Sequence, residues 1–472
     1  MLFNSLIFIA FALAFYALWP MMRKGNALRW AFITAASFFF YGWWDWRLVF
    51  LLLASGALNY AAGLAIASAG PRKKAALAAG VAANLLLLGA FKYVSFILLN
   101  VNFLLRAVGT DAQLAFETPP LPIGISFYTF MGISYLADIY KGQISPTRSL
   151  LHFLSYISMF PHLIAGPIVR GAHLLPQLTT WNRTTEEQRW QGTMLIVTGM
   201  FKKVVIADNI SRFLDLAFEF GGPVTLHSMP FWWIAMTVFS FQIYCDFSGY
   251  SDIARGLAKW MGYDFPLNFN HPYIANSFRD FWARWHMSLS TWFRDYVYIP
   301  LGGGRKGKMR WHINMWITMA LSGLWHGAAW TFVAWGAAHA LFLSVERLTK
   351  WPERLGRLPA GRWLVSALLI PQIWIAWVFF RAPDMGTALA IIKQMADITA
   401  LSLAPVFVVG VRPLVFLAVG VAMEMYFYLG IDRSRFADSR AFRAAEFILA
   451  AIMILCCVYF RGPGAAFIYF QF

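Results

Sequence analysis

The chain is poor in charge. Only 13% of its 472 residues are Asp, Glu, Lys or Arg, and its 22 acidic residues are outnumbered by 39 basic ones. That is far below the surface charge of an ordinary soluble domain, so a globular cytosolic enzyme is excluded. Cysteine is equally scarce. Cys245, Cys456 and Cys457 all lie in apolar segments, two of them side by side, which leaves no disulfide framework. No nucleotide-binding glycine loop, zinc-ligand pattern, Gly-x-Ser-x-Gly elbow or basic-aromatic nucleic-acid patch occurs, so no metal and no nucleic-acid partner is expected. Internal repeats and low-complexity tails are missing as well.

Apolar sequence fills the space. Hydrophobic residues make up 60% of the chain, aromatics 18%, and the mean hydropathy is +0.58. About ten to twelve apolar stretches are long enough to cross a hydrocarbon core of ~30 Å. The expected fold is an all-α integral membrane protein, a polytopic helical bundle with re-entrant or tilted short helices around a central cavity. It reads as one transmembrane domain over 1–472, multi-pass in a cell (inner) membrane.

Orientation follows the basic residues. The short loops holding Arg23, Lys24 and Arg29, then Arg72, Lys73 and Lys74, are basic, whereas the turn at Trp43 to Trp46 and the segment 101–120 are not. The positive-inside rule makes the basic loops cytoplasmic, together with the stretches Arg255 to Arg310, Arg347 to Arg362 and Arg433 to Arg443. Both termini are then expected outside, with Met1 to Pro20, which lacks a basic n-region, retained as a first span. Part of the net charge of +17 is this bias. The rest suits anionic lipids or a phosphate-rich cytosolic ligand.

One histidine sits where ionisable groups are costly. Within the apolar run from Ile313 to Val345 lies Ser322-Gly323-Leu324-Trp325-His326-Gly327. Intramembrane ionisable residues are functional candidates, and glycines on either side let a ligand or a second backbone approach the ring. A buried histidine bonded to a neighbouring helix is the structural alternative. The run totals roughly 33 residues between cytoplasmic basic loops, tight for two full spans, so a re-entrant hairpin or two tilted short helices is expected, with the break around His326.

Upstream, Asp280 to Tyr296 places Trp282, Trp285, His286, Leu289, Trp292, Phe293 and Tyr296 on one helical stripe, with Asp280, Arg284, Arg294 and Asp295 opposite. This predicts an amphipathic helix at the interface or dipping into the bundle, with His286 at the stripe's edge. On spacing alone His286 reads as an interfacial ring with a wet tip. In Tyr244 to Asp252, Asp246 and Asp252 can hydrogen-bond a substrate or cap helices, and Asp246 and Ser248 beside a glycine favour capping. Leu121 to Phe127 and Phe160 to Pro167 are Pro/Gly-interrupted apolar runs, the mark of kinked or re-entrant helices around a cavity.

Taken in order, Leu121-Pro122-Ile123-Gly124-Ile125-Ser126-Phe127-Tyr128, Phe160 to Pro167, Phe201-Lys202-Lys203, Asp246 to Asp252, Asn268-Phe269-Asn270-His271-Pro272-Tyr273, Arg284 to Asp295 and Gly323 to Gly327 resemble the membrane-bound O-acyltransferase family. The likeness is dense over about 121–345 and looser elsewhere, and 350–445 holds no motif that can be placed. It implies that His326 is the catalytic histidine and His286 its partner. It further implies transfer of acetyl from cytosolic acetyl-CoA, as acyl-donor substrate, to an extracytoplasmic polysaccharide, alginate first among them. The alternatives within the class are peptidoglycan, cellulose or teichoic acid.

On that resemblance a neutral His326 imidazole takes the acceptor's hydroxyl proton as it attacks the thioester. His286 positions the pantetheine arm or stabilises charge near the carbonyl. The implied partners are an extracytoplasmic acetyl-transfer protein of esterase-like type, a polysaccharide assembly complex and membrane lipids. A proton-coupled transporter would also use midplane His and Asp, but should show inverted repeats, and a non-catalytic export scaffold is the other rival. Finally, Phe467-Ile468-Tyr469-Phe470-Gln471-Phe472 carries four aromatics. Such a tail is expected to be docked, either as an interfacial anchor or with Tyr469 as an acyl relay into the cavity mouth.

Overall fold

A computed structural model describes residues 1–110, 112–116, 119–305, 307–429, 439–462, 464 and 467. Among these the chain is helical and contains no strand. Among the described residues six helices are long and apolar enough to cross a membrane: Leu6–Lys24, Arg47–Ser68, Gly70–Lys92, Gly361–Arg381, Arg412–Leu429 and Ala441–Tyr459. The chain is a multi-pass membrane protein. Its residues form two compact units, one of Met1–Gly192 with Ala254–Pro266, the other of Thr193–Ile253 with Leu267–Phe472.

In the first unit, helices pack through small and neutral polar residues, as expected where lipid supplies no hydrophobic drive between them. Asn59 and Asn84 exchange side-chain hydrogen bonds of 3.0 and 2.9 Å between Arg47–Ser68 and Lys73–Lys92. Their spare N–H groups donate to Ser55 and Gly80 carbonyls, so both buried amides are satisfied. The two Pro/Gly-interrupted runs meet here. Gly124 has φ +77°, and a Cβ on it would lie 2.5 Å from the carbonyl oxygen of Leu163. A side chain would push the two runs apart.

The second unit carries both candidate histidines. Lys308–His326 and Trp330–Thr349, of 19 and 20 residues, form a helical hairpin. Each spans ~28–30 Å at 1.5 Å per residue. The crowding inferred from Ile313 to Val345 disappears because basic ends, Lys308 and Arg310 on one side and Arg347 on the other, extend both helices. The break falls at 327–329, just beyond His326 rather than around it.

The single amphipathic helix expected over Asp280 to Tyr296 is not formed. Phe278–Arg284 and Met287–Phe293 are separate helices, and at His286 between them the backbone turns left-handed, with φ +40°. A widened π turn follows at Arg294–Tyr298. The break re-aims His286, which is fully buried, so the interfacial, wet-tipped placement is overturned. The local pattern reads as one stripe because its periodicity carries no sign of the contacts that Asn268 and Asn270 make at the break.

Candidate active site

His326 ends its helix, and the glycines around it serve the neighbouring helix. A Cβ on Gly323 would fall 2.2 Å from the Phe332 carbonyl oxygen, and one on Gly327 would fall 2.1 Å from the Phe332 ring. Across the same contact, a Cβ on Gly336 would lie 2.4 Å from the Met319 carbonyl. Gly323 and Gly336 admit the second backbone, and Gly327 admits a ring of the same neighbouring helix. The hairpin closes tightly and holds His326, 3% exposed, in an aromatic box. Trp325, Trp335 and Phe380 meet its ring roughly edge to face at 4.8, 4.8 and 5.2 Å between centroids.

His286 reaches the same box from the other side. Its ring lies 6.0 Å from Trp325 and 4.5 Å from Phe247, both near-perpendicular. The structure thus brings the two sequence-predicted histidines to one tryptophan. Asn268, 18 residues upstream of His286, shapes this corner. Its backbone carbonyl accepts from the Met287 N–H at 2.8 Å, and its side-chain Oδ1 accepts from the Ser288 N–H at 3.2 Å. Two N–H groups that the first turn of Met287–Phe293 would leave unpaired are satisfied from outside the helix. The same Oδ1 lies 3.2 Å from His286 Nδ1.

Asp246 and Asp252 do not cap anything. They lie inside the continuous helix Met229–Trp260 and pair with lysines of the π turn Phe201–Ala207. Lys203 Nζ is 2.9 Å from Asp246 and 2.7 Å from Asp208, all three buried, while Lys202 Nζ is 2.8 Å from Asp252. Gly199 and Gly249 bring the two backbones close enough for these pairs, a Cβ on Gly249 lying 2.7 Å from the Gly199 carbonyl. In a buried setting a carboxylate finds its compensation in an ammonium rather than in helix N–H groups already bonded within the helix.

Several site residues escaped the sequence reading because they sit in 350–445. Phe380 and Trp377 end the helix Gly361–Arg381; Phe380 meets His326, and Trp377 stands 5.1 Å from Trp285. Glu424, buried in Arg412–Leu429, accepts from the Tyr244 hydroxyl at 2.9 Å and lies 2.7 Å from His271 Nδ1. His271 is itself left-handed, with φ +49°. A lone carboxylate in an apolar span was the available signal for Glu424, and a run closing on Trp377 and Phe380 the signal for the box wall.

At the far end, Phe467 is fully buried, 5.6 Å from Phe247 and 4.6 Å from Tyr250. The approach is pinned by Asn209, whose Nδ2 donates to the Phe460 carbonyl at 2.8 Å, and by Gly462, whose N–H donates to Val204. Phe247 therefore touches both Phe467 and His286. Tyr469 lies outside the described residues.

Residues 139–380 match the profile described as MBOAT, membrane-bound O-acyltransferase family. A Pseudomonas putida protein named "Probable alginate O-acetylase" is 40% identical over 394 residues, 82% of this chain and 79% of its own. The peptidoglycan O-acetyltransferase of Helicobacter pylori is 37% identical over 441 residues, 85% of this chain and 81% of its own. The teichoic acid D-alanyltransferase of Bacillus subtilis is 30% identical over 273 residues, 55% of this chain and 67% of its own.

Proposed function

This chain belongs to the membrane-bound O-acyltransferase family and is an O-acyltransferase, and on that premise we propose that it takes acetyl from cytosolic acetyl-CoA for O-acetylation of an extracytoplasmic polysaccharide, alginate. The observation that carries the reading is the placing of His286 and His326 against one indole, Trp325, in a buried aromatic enclosure. The likeness to an alginate O-acetylase supports the acetyl group and the polymer.

In this scheme His326 is the general base. Its neutral imidazole accepts the hydroxyl proton as the oxygen attacks the thioester carbonyl. The new C–O bond forms, the C–S bond breaks, and the proton passes to the departing sulfur to give the free CoA thiol. Exclusion of water protects the thioester from hydrolysis and strengthens each polar contact that forms there. The basic cytoplasmic segments draw the polyanionic donor. The first acceptor is the Tyr469 phenol, whose ester then passes acetyl to a hydroxyl of an esterase-like extracytoplasmic partner in a polysaccharide assembly complex of the inner membrane. Burial of Phe467 beside Phe247 supports this route.

A second reading keeps the donor and changes the polymer. The match to the peptidoglycan O-acetyltransferase covers as much of both chains as the match to the alginate O-acetylase. The test uses purified protein in lipid nanodiscs with acetyl-labelled acetyl-CoA, followed by the native membrane with alginate or peptidoglycan as acceptor. Label in alginate is the expected result. Label in peptidoglycan alone moves the assignment to that polymer, and release of CoA with neither the protein nor a polymer labelled removes the transfer reading.

A further inference from the structure

Asn268 has a consequence beyond capping. A backbone N–H can only donate, so the Asn268 atom that receives the Ser288 N–H must be the amide oxygen. On the other side of the amide, Asn268 Nδ2 donates to Ser251 Oγ at 3.0 Å. The Ser288 hydroxyl also donates to Oδ1, at 2.8 Å. An amide oxygen has no proton to give, so across the 3.2 Å contact His286 Nδ1 must be the donor. A neutral imidazole carries one N–H. The other nitrogen, Nε2, is then a bare lone pair, and it is buried without a hydrogen-bond partner among the described residues.

Resting on the acyl-transfer reading of the site, we infer that Asn268 is a positioning residue that locks His286 as the Nδ1–H tautomer, so that Nε2 serves the reaction as an acceptor for a substrate O–H or N–H and not as the donor to the carbonyl oxygen. Among the described residues the ring's neighbours are aromatic: Phe247, Phe269 and Trp325 stand around it at 4.5, 6.1 and 6.0 Å. The backbone agrees with the electronic requirement. The left-handed turn at His286 brings the ring and the Ser288 N–H to a single oxygen, Asn268 Oδ1, an arrangement that capping by itself does not need. Of the two roles a partner histidine can take, charge stabilisation by N–H donation is closed to this neutral ring. Holding a hydroxyl or a pantetheine amide is open.

Ring-15N histidine labelling decides it, with His286→Gln as the difference that identifies the signal. The expected spectrum of the unsubstituted protein shows His286 protonated at Nδ1 and unprotonated at Nε2; a proton on Nε2 in the neutral ring overturns the inference. Asn268→Leu removes the acceptor at similar volume and should move the ring to the other tautomer or a mixture, with kcat/KM for acetyl transfer falling at least tenfold. Asn268→Asp retains an acceptor and should retain the Nδ1–H signal. If Asn268→Leu does not fold, the unsubstituted and Asn268→Asp spectra still decide. If Asn268→Leu folds and leaves the tautomer unchanged, Asn268 is only a cap and the inference fails. Because the tautomer is read without turnover, an inactive acyltransferase would not be mistaken for a wrong tautomer.

Discussion

His286 meets Trp325 nearly edge to face, 6.0 Å between ring centroids, and Trp325 is the residue immediately before His326. Two histidines 40 positions apart are thereby registered to each other through one rigid indole. Removing either should be felt in chemistry before stability. His326→Ala is expected to lower acetyl transfer by a factor on the order of 10² to 10⁴, the range that a positioned general base supplies. His286→Ala should lower it too. Labelled acetyl transfer at matched protein level checks both, and near-normal transfer by His326→Ala would make that histidine merely structural.

The lysine cluster should govern stability. Lys203→Met strands the carboxylates of Asp208 and Asp246, and loss of one partner of a buried ion pair costs ~3–5 kcal/mol. The thermal midpoint in detergent should drop sharply. Neutralising all three positions, with Asp208→Asn and Asp246→Asn added, should recover much of it. An unchanged midpoint for Lys203→Met would mean the cluster is not holding the π turn in place.

Gly327→Ala tests the hairpin. Its methyl would meet the Phe332 ring at 2.1 Å, so Phe332 or the helix must move, at a cost of ~1–3 kcal/mol and with displacement of the box around His326. Gly89→Ala, where a Cβ meets nothing within 4 Å, is the matched control and should be neutral or slightly stabilising. Equal behaviour of the two variants in unfolding and transfer assays would contradict the packing account.

Orientation is open to labelling. In a background cleared of native cysteines, Arg72→Cys and Arg305→Cys should resist an impermeant thiol reagent in intact cells, while Ala112→Cys, exposed near Gly109, should react. The reverse pattern would place the basic loops outside, and the cytosolic route for acetyl-CoA would be lost with it.

For the tail, Tyr469→Phe keeps the ring and removes the nucleophile. Polymer acetylation should collapse at unchanged protein level. Normal acetylation by Tyr469→Phe, with lower abundance on deletion of 467–472, would reduce the tail to an anchor.

Membrane class, helical content and His326 as a candidate were legible in the residues themselves, because apolar stretches and an ionisable ring within one are local properties of a sequence, whereas His286 came forward only through the family resemblance. The same locality misled at Asp280 to Tyr296, where periodicity describes a helix and says nothing of a turn held open by Asn268. It misled again at Asp246 and Asp252, good capping residues by type that the fold gives to Lys203 and Lys202 instead. What only the tertiary structure decided is which distant side chains meet: Phe380 against His326, Glu424 on His271 and Tyr244, Phe467 beside Phe247. Those pairings come from helix packing between segments far apart in the chain, and packing is set by the shapes of both partners, which no single stretch of sequence contains.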